Sequence, residues 1–253
     1  MRALVTGAGS GLGAALTAAM RDRGDEVLAT DRVGSDAVDL VLDVTSDADW
    51  GAAVDHVRDR WGGLDVLVNN AGIAGGGRIE LCTMAEWQRL IDVNLLGAVR
   101  GVRAFTPMLK EQGSGAIINV ASLAGLVHPA GMGSYNATKA AVVAFTETVG
   151  HELASYGVTA HAVCPSYFRT HLMASMSGSD EVVGRVVAGL VDASPVTAEE
   201  VAAAVLAGLA AGETLIVPDE AARRAWQLKQ HDRAAYDEVM RAQAAKLHRV
   251  GLE

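Results

Sequence analysis

Cysteine is nearly missing from this chain: Cys82 and Cys164 are the only two in 253 residues, and their separation fits no metal-ligand spacing. A disulfide framework and a zinc cluster are therefore excluded, no metal is expected, and a reducing compartment is implied. Proline is scarce, 5 against 28 glycines, while half the residues are hydrophobic, which excludes a disordered or fibrous chain. Positive charge is in deficit: 21 Lys and Arg against 30 Asp and Glu leave a net charge of −9. A general attraction to nucleic acid or to an anionic membrane is thereby disfavoured, so neither is expected as a partner. Long apolar runs are also lacking. The longest, residues 201–212, is stopped by Glu213, well short of the ~20 residues that cross a bilayer. The start, Met-Arg-Ala-Leu-Val-Thr, passes straight into glycines and does not read as a secretory leader. The expectation is a soluble cytoplasmic protein with a single α/β domain over residues 1–253.

What is present alternates. Short apolar, strand-like runs cover residues 2–6, 26–30, 40–44, 64–69, 115–122, 158–164 and 214–217, with helical patterns between most of them. Near-continuous apolar strands alternating with helices predict a parallel sheet covered on both faces. Gly7-Ala-Gly-Ser-Gly-Leu-Gly13 lies between the first strand and the first helix. There glycines permit a tight turn, and helix-start N–H groups favour a pyrophosphate, although a merely flexible turn reads the same way. The second strand ends in Asp31, 20 residues after Gly11. A carboxylate at that point accepts hydrogen bonds from ribose hydroxyls and repels a 2′-phosphate, which favours NAD over NADP. The alternative is a turn residue or an ion-pair partner of Arg32. Asp43 and Val44 stand at the end of the third strand, where an adenine would lie. Thr83 and Glu86 form a capping box opening a helix expected to run through about Lys110, with Asn94 inside it. A second box, Thr197 to Glu200, opens a helix to Gly212.

Ser122 ends the fifth strand, and after a loop over 123–133 come Tyr135 and Lys139, one helical turn apart. A phenol beside an ammonium makes an acid/base device, because a nearby positive charge lowers the tyrosine pKa. The same spacing is found on ordinary solvated helix faces.

Taken together, Thr6-Gly7-x-x-x-Gly11-x-Gly13, Asn69-Asn70-Ala71-Gly72, Asn94, Ser122 and Tyr135-x-x-x-Lys139 make the chain resemble the short-chain dehydrogenase/reductase family, over about residues 1–219. The resemblance implies a Rossmann-type doubly wound sheet of seven parallel strands in the order 3-2-1-4-5-6-7. It implies a catalytic tetrad of Asn94, Ser122, Tyr135 and Lys139, with Asn94 holding a water of a proton relay. Cofactor contacts are implied for Gly7, Ser10, Gly11, Leu12, Gly13, Asp31, Asp43, Val44, Asn70, Ala71, Gly72, Tyr135, Lys139, Pro165, Phe168 and Thr170. The implied reaction interconverts a small-molecule secondary alcohol and a ketone with NAD, in a homotetramer or homodimer. The alternatives are a β-ketoacyl carrier-protein reductase and a non-catalytic NAD-binding regulator. One departure stands out: Ser166 follows Pro165 where the family commonly has glycine, which bears on the pocket's shape. Lys139 separates the chain from dehalogenase relatives, which carry arginine there.

The substrate side is expected in residues 167–194, with Phe168, His171, Leu172, Met173 and Met176 suiting a moderately apolar ketone or packing against the protein itself. His128 and His171 are further candidates for substrate contact. In the tail, residues 220–253, Trp226, Arg233, Met240 and Leu247 recur every seventh position. Seven Lys or Arg against five Asp or Glu make this segment mildly basic beside an acidic body. It suits self-association, a flap over a neighbouring subunit's pocket, or a solvated end.

Overall fold

The computed structural model describes residues 1–169 and 178–250. Seven parallel strands form one sheet in the order 3-2-1-4-5-6-7, as the resemblance implies. They are β1 (Arg2–Thr6), β2 (Glu26–Asp31), β3 (Leu40–Val41), β4 (Val66–Asn69), β5 (Gly115–Val120), β6 (Val158–Val163) and β7 (Leu215–Ile216). The first crossover helices are α1 (Gly11–Asp22) and α2 (Asp47–Trp61). Next come α3 (Met84–Leu90) and α4 (Gly97–Gln112), and then α5 (Ala124–Val127) and α6 (Gly133–Leu153). After β6 lie α7 (Glu181–Asp192) and α8 (Ala198–Ala211), and after β7 the tail helices α9 (Glu220–His231) and α10 (Arg233–Val250).

Alternate residues of the central strands feed opposite faces. Ala3, Val5, Val66, Val68 and Ile118 pack with α1 and α8, whereas Leu4, Leu67 and Ile117 pack with Trp50 of α2 and Phe105 of α4. Both faces are therefore dry, which is why the strands carry no polar alternation.

Both capping boxes are present: the Thr83 and Thr197 hydroxyls accept from the amides of Glu86 and Glu200, whose carboxylates accept back from the cap amides. Four expectations need correction. β3 ends at Val41, because beyond Leu42 the chain bonds to side chains: Asp43 N–H donates to Asp49 Oδ2 at 2.9 Å, and the Asp43 carboxylate takes the Thr45 amide. β4 begins at Val66, two residues later than read. The helix expected through Lys110 is interrupted by a π segment, Ile91–Leu96, in which Gly97 N–H reaches back to Asp92 O. The loop over 123–133 contains α5, pressed so closely on α6 that a Cβ on Gly125 would stand 2.7 Å from the Lys139 carbonyl carbon.

Candidate active site

The site is assembled where the strands end. Thr6 Oγ1 closes β1 by accepting the amides of Asn70 and Ala71, each at 3.0 Å, and the Asn70 side chain donates to Thr6 O at 2.8 Å. These bonds tie the glycine loop to the segment after β4. Gly7, at φ 65°, leaves no room for a side chain: a Cβ would lie 2.9 Å from Ala71 Cα. Gly13 is more constrained, since its Cβ would meet Gly7 O at 2.1 Å. These glycines are required because backbone packs on backbone.

Ser10 caps α1 without a side-chain bond, so the first amides of that helix remain available. Asp31 stands beside the loop and accepts the Gly9 amide on Oδ2 at 3.0 Å. An open helix start with a carboxylate at the end of the next strand fits a dinucleotide, the amides suiting a pyrophosphate and Asp31 a ribose.

A cavity of about 900 Å³ runs from this loop to the opposite end of the sheet edge. Gly7, Ser10, Gly11, Leu12, Asp31, Asp43 and Val44 line one part of it. Asn70, Ala71, Gly72, Ser122, Tyr135 and Lys139 line the middle, with Pro165 and Phe168 beside them. Two candidates stand behind this wall. Gly13 is packed against Gly7 and Asn70, and Asn94 grips Ile73, accepting its amide at 2.8 Å and donating to its carbonyl at 3.1 Å. Asn94 thereby spends one hydrogen and one lone pair of its side-chain amide on Ile73. Thr170, His171, Leu172, Met173 and Met176 lie outside the described residues.

At the centre, Tyr135 is 8 % and Lys139 is 4 % exposed, so they do not form a solvated helix face. Lys139 Nζ donates to Val120 O at 2.8 Å and lies 5.8 Å from the Tyr135 ring centre. Ser122 accepts the Ala124 amide at 3.1 Å, which orients it. Burial pushes the Tyr135 phenol up to about 12, against the lowering influence of the Ser122 hydroxyl. Burial pulls the Lys139 ammonium down to about 8. Desolvation dominates both groups, Lys139 is not among the groups that shift the phenol, and the ammonium is turned to Val120.

Ser166, in place of glycine, costs no backbone strain: His128 is the one non-glycine residue at positive φ among those described. The Ser166 amide donates to Asp219 Oδ2 at 3.0 Å, and Asp219 also caps α9. His128 is not a cavity residue. It is held between Gly125 O and Lys229 Nζ, the latter at 2.8 Å from Nδ1.

The sequence reading missed the tail. Asp232 separates α9 from α10, so the seven-residue spacing does not run along one helix. Both helices fold onto the same chain, where Leu228, Tyr236, Met240 and Leu247 line the cavity. The apolar positions of α10 were a signal of burial but carried no information about which surface they would meet.

A family model described as short chain dehydrogenase matches residues 1–181. Among curated proteins, the chain is 40 % identical over 179 residues to a 3-alpha-(or 20-beta)-hydroxysteroid dehydrogenase of Mycobacterium tuberculosis, covering 66 % of this chain and 69 % of that protein. It is 35 % identical over 190 residues to a 3-oxoacyl-[acyl-carrier-protein] reductase of Synechocystis, covering 69 % and 77 %. Among solved structures, it is similar to a short chain dehydrogenase/reductase from Burkholderia phymatum in complex with NAD, with TM-score 0.85, 28 % identity and coverage of 92 % and 93 %. It is also similar to a short chain dehydrogenase from Burkholderia cenocepacia in complex with NADP, with TM-score 0.80, 30 % identity and coverage of 94 % and 96 %. With the sheet order, the glycine loop and the Ser122, Tyr135 and Lys139 cluster in place, the chain belongs to the short chain dehydrogenase family of oxidoreductases.

Proposed function

We propose that this protein interconverts a secondary alcohol and its ketone with NAD, Tyr135 acting as general acid and base. The observation that carries this reading is that Ser122 and the buried Tyr135 and Lys139 share the wall that continues from the glycine loop. When bound, the nicotinamide supplies the hydride donor or acceptor. Ser122, fixed by the Ala124 amide, holds the substrate oxygen against the Tyr135 hydroxyl. A phenol pushed up to about 12 is protonated at neutral pH and so is ready to give its proton to a developing alkoxide. The reverse direction needs the phenolate and gains from higher pH. Lys139, within reach of the same wall, assists by its charge and by bonding ribose hydroxyls.

Asp31 supports NAD as the preferred cofactor, because its carboxylate lines the cavity beside the glycine loop and disfavours a 2′-phosphate. The other end of the cavity supports an apolar substrate, being walled by Val183, Val187 and Val191 of α7 with Met240 and Leu247 of α10. That lining weighs against a carrier-protein substrate, as does the acidic body. The family match ends at residue 181, before these walls begin. The substrates of relatives therefore do not transfer directly.

No helix among the described residues is long and apolar enough to cross a membrane, and a cytoplasmic setting is proposed. A homodimer or homotetramer built on the long helices α4 and α6 is also part of this reading. Tyr135→Phe is expected to lower kcat by about 10²–10⁴-fold while NAD binding, followed by calorimetry, is retained. Unchanged turnover in that variant refutes the assignment.

A further inference from the structure

Tyr236, on α10, presents a polar group that the fold leaves unused. The residue is 4 % exposed and lines the cavity, yet its hydroxyl is buried with no hydrogen-bond partner among the described residues. The charged groups around it are engaged elsewhere. Lys229, whose Nζ lies 5.9 Å from the ring centre, donates to Leu126 O and contacts His128, while Arg233 and Asp237 pair with each other at 2.8 Å. Buried hydroxyls without partners are uncommon because the desolvation cost is not returned. Phenylalanine would fill the same space without that cost, so packing does not account for the oxygen. This part of the cavity wall is mainly apolar, with Val183, Val187, Leu228, Met240 and Leu247, and its polar members on α10, Gln243 and Lys246, make no hydrogen bond to the hydroxyl.

We propose that Tyr236 is a specificity-determining residue, its hydroxyl bonding a second polar group on the substrate, distinct from the oxygen handled at Tyr135. The substrate class is then an apolar keto-alcohol, diketone or diol rather than a simple ketone. Burial also keeps this phenol protonated, so it serves as donor or acceptor. The proposal rests on the dehydrogenase reading of the same cavity.

The test compares cyclohexylcyclohexanone with the same ketone bearing a hydroxyl on the far ring, for the wild type and Tyr236→Phe. The variant is expected to lose about 10-fold or more in kcat/KM on the hydroxylated member, mainly through KM, and to stay within about 2-fold on the plain ketone. Its Tm is expected to equal or exceed that of the wild type, because an unpaired hydroxyl is removed. An equal loss on both ketones, or a lowered Tm, overturns the proposal by making the hydroxyl structural. Calorimetric titration of the same two compounds keeps the result separate from catalysis. A preference for the hydroxylated member that disappears in Tyr236→Phe supports the proposal even without turnover, and identical binding of the two by the wild type refutes it. Absence of turnover by the wild type counts against the proposed function alone.

Discussion

Lys139 illustrates how a side chain can be placed against its own solvation. Its ammonium is 4 % exposed, has Val120 O as its acceptor at 2.8 Å, and is pulled by burial from 10.5 to about 8. Below about 8 the folded chain bears the full cost of a buried charge; above 10.5 the amine is neutral in both states and the cost is gone. The wild type should therefore gain on Lys139→Met by about 3 kcal/mol as pH rises from 8 to 10.5, read from denaturant midpoints across that range. Parallel pH profiles would exclude this. The pairing of Tyr135 with Lys139 was legible as a four-residue spacing, and Ser122 as the end of an apolar run. The burial of Tyr135 was not, because it comes from segments distant in the chain, Leu90, Ala124, Val183, Val187 and Leu247 packing around it. Asn94 was legible as a buried amide within a helix, but its attachment to Ile73 depends on a π segment that hydrophobic periodicity does not register.

At the scale of elements, α7 is fastened to the loop before α3 by Asp180. One oxygen accepts the Arg78 backbone and Nε at 3.0 and 2.7 Å, and the other accepts Arg78 NH2 at 3.1 Å and caps α7 through the Val182 amide. The Arg78 guanidinium holds the Asp180 carboxyl down at about 2, below the ordinary 3.8. That stabilisation is fully present above 3.8 and is lost as pH falls through about 2. Asp180→Asn is expected to cost about 2 kcal/mol at pH 7, with the gap to the wild type closing between pH 4 and 2, by urea denaturation. Ser179 adds a neighbouring tie, its amide and hydroxyl bonding Glu86 Oε1 while Oε2 closes the Thr83 capping box. The box was visible as Thr-x-x-Glu. The second use of its carboxylate was not, since the partner lies 93 residues away.

For the whole molecule, the glycine loop, Asp31 and the segment 70–72 meet only in the folded sheet, so a ligand bound there stabilises the native state by mass action. NAD at 100 times its Kd is expected to add about 2.7 kcal/mol, a rise of several degrees in Tm, and NADP at the same concentration less. A larger shift with NADP would reverse the reading of Asp31. The strand order followed from the family resemblance, whereas the sequence by itself determined the parallel sheet, the loop that turns on Gly7 and Gly13, and the identity of Ser122, Tyr135 and Lys139. These follow from short spacings: apolar runs, caps, and glycine where backbone meets backbone. Tertiary structure alone decided that α9 and α10 turn back at Asp232 and bring Tyr236, Met240 and Leu247 onto the cavity. Helical periodicity reports that a face must be buried. What covers it depends on loop geometry and on side chains such as Asp219 and Lys229, whose partners are distant in the chain.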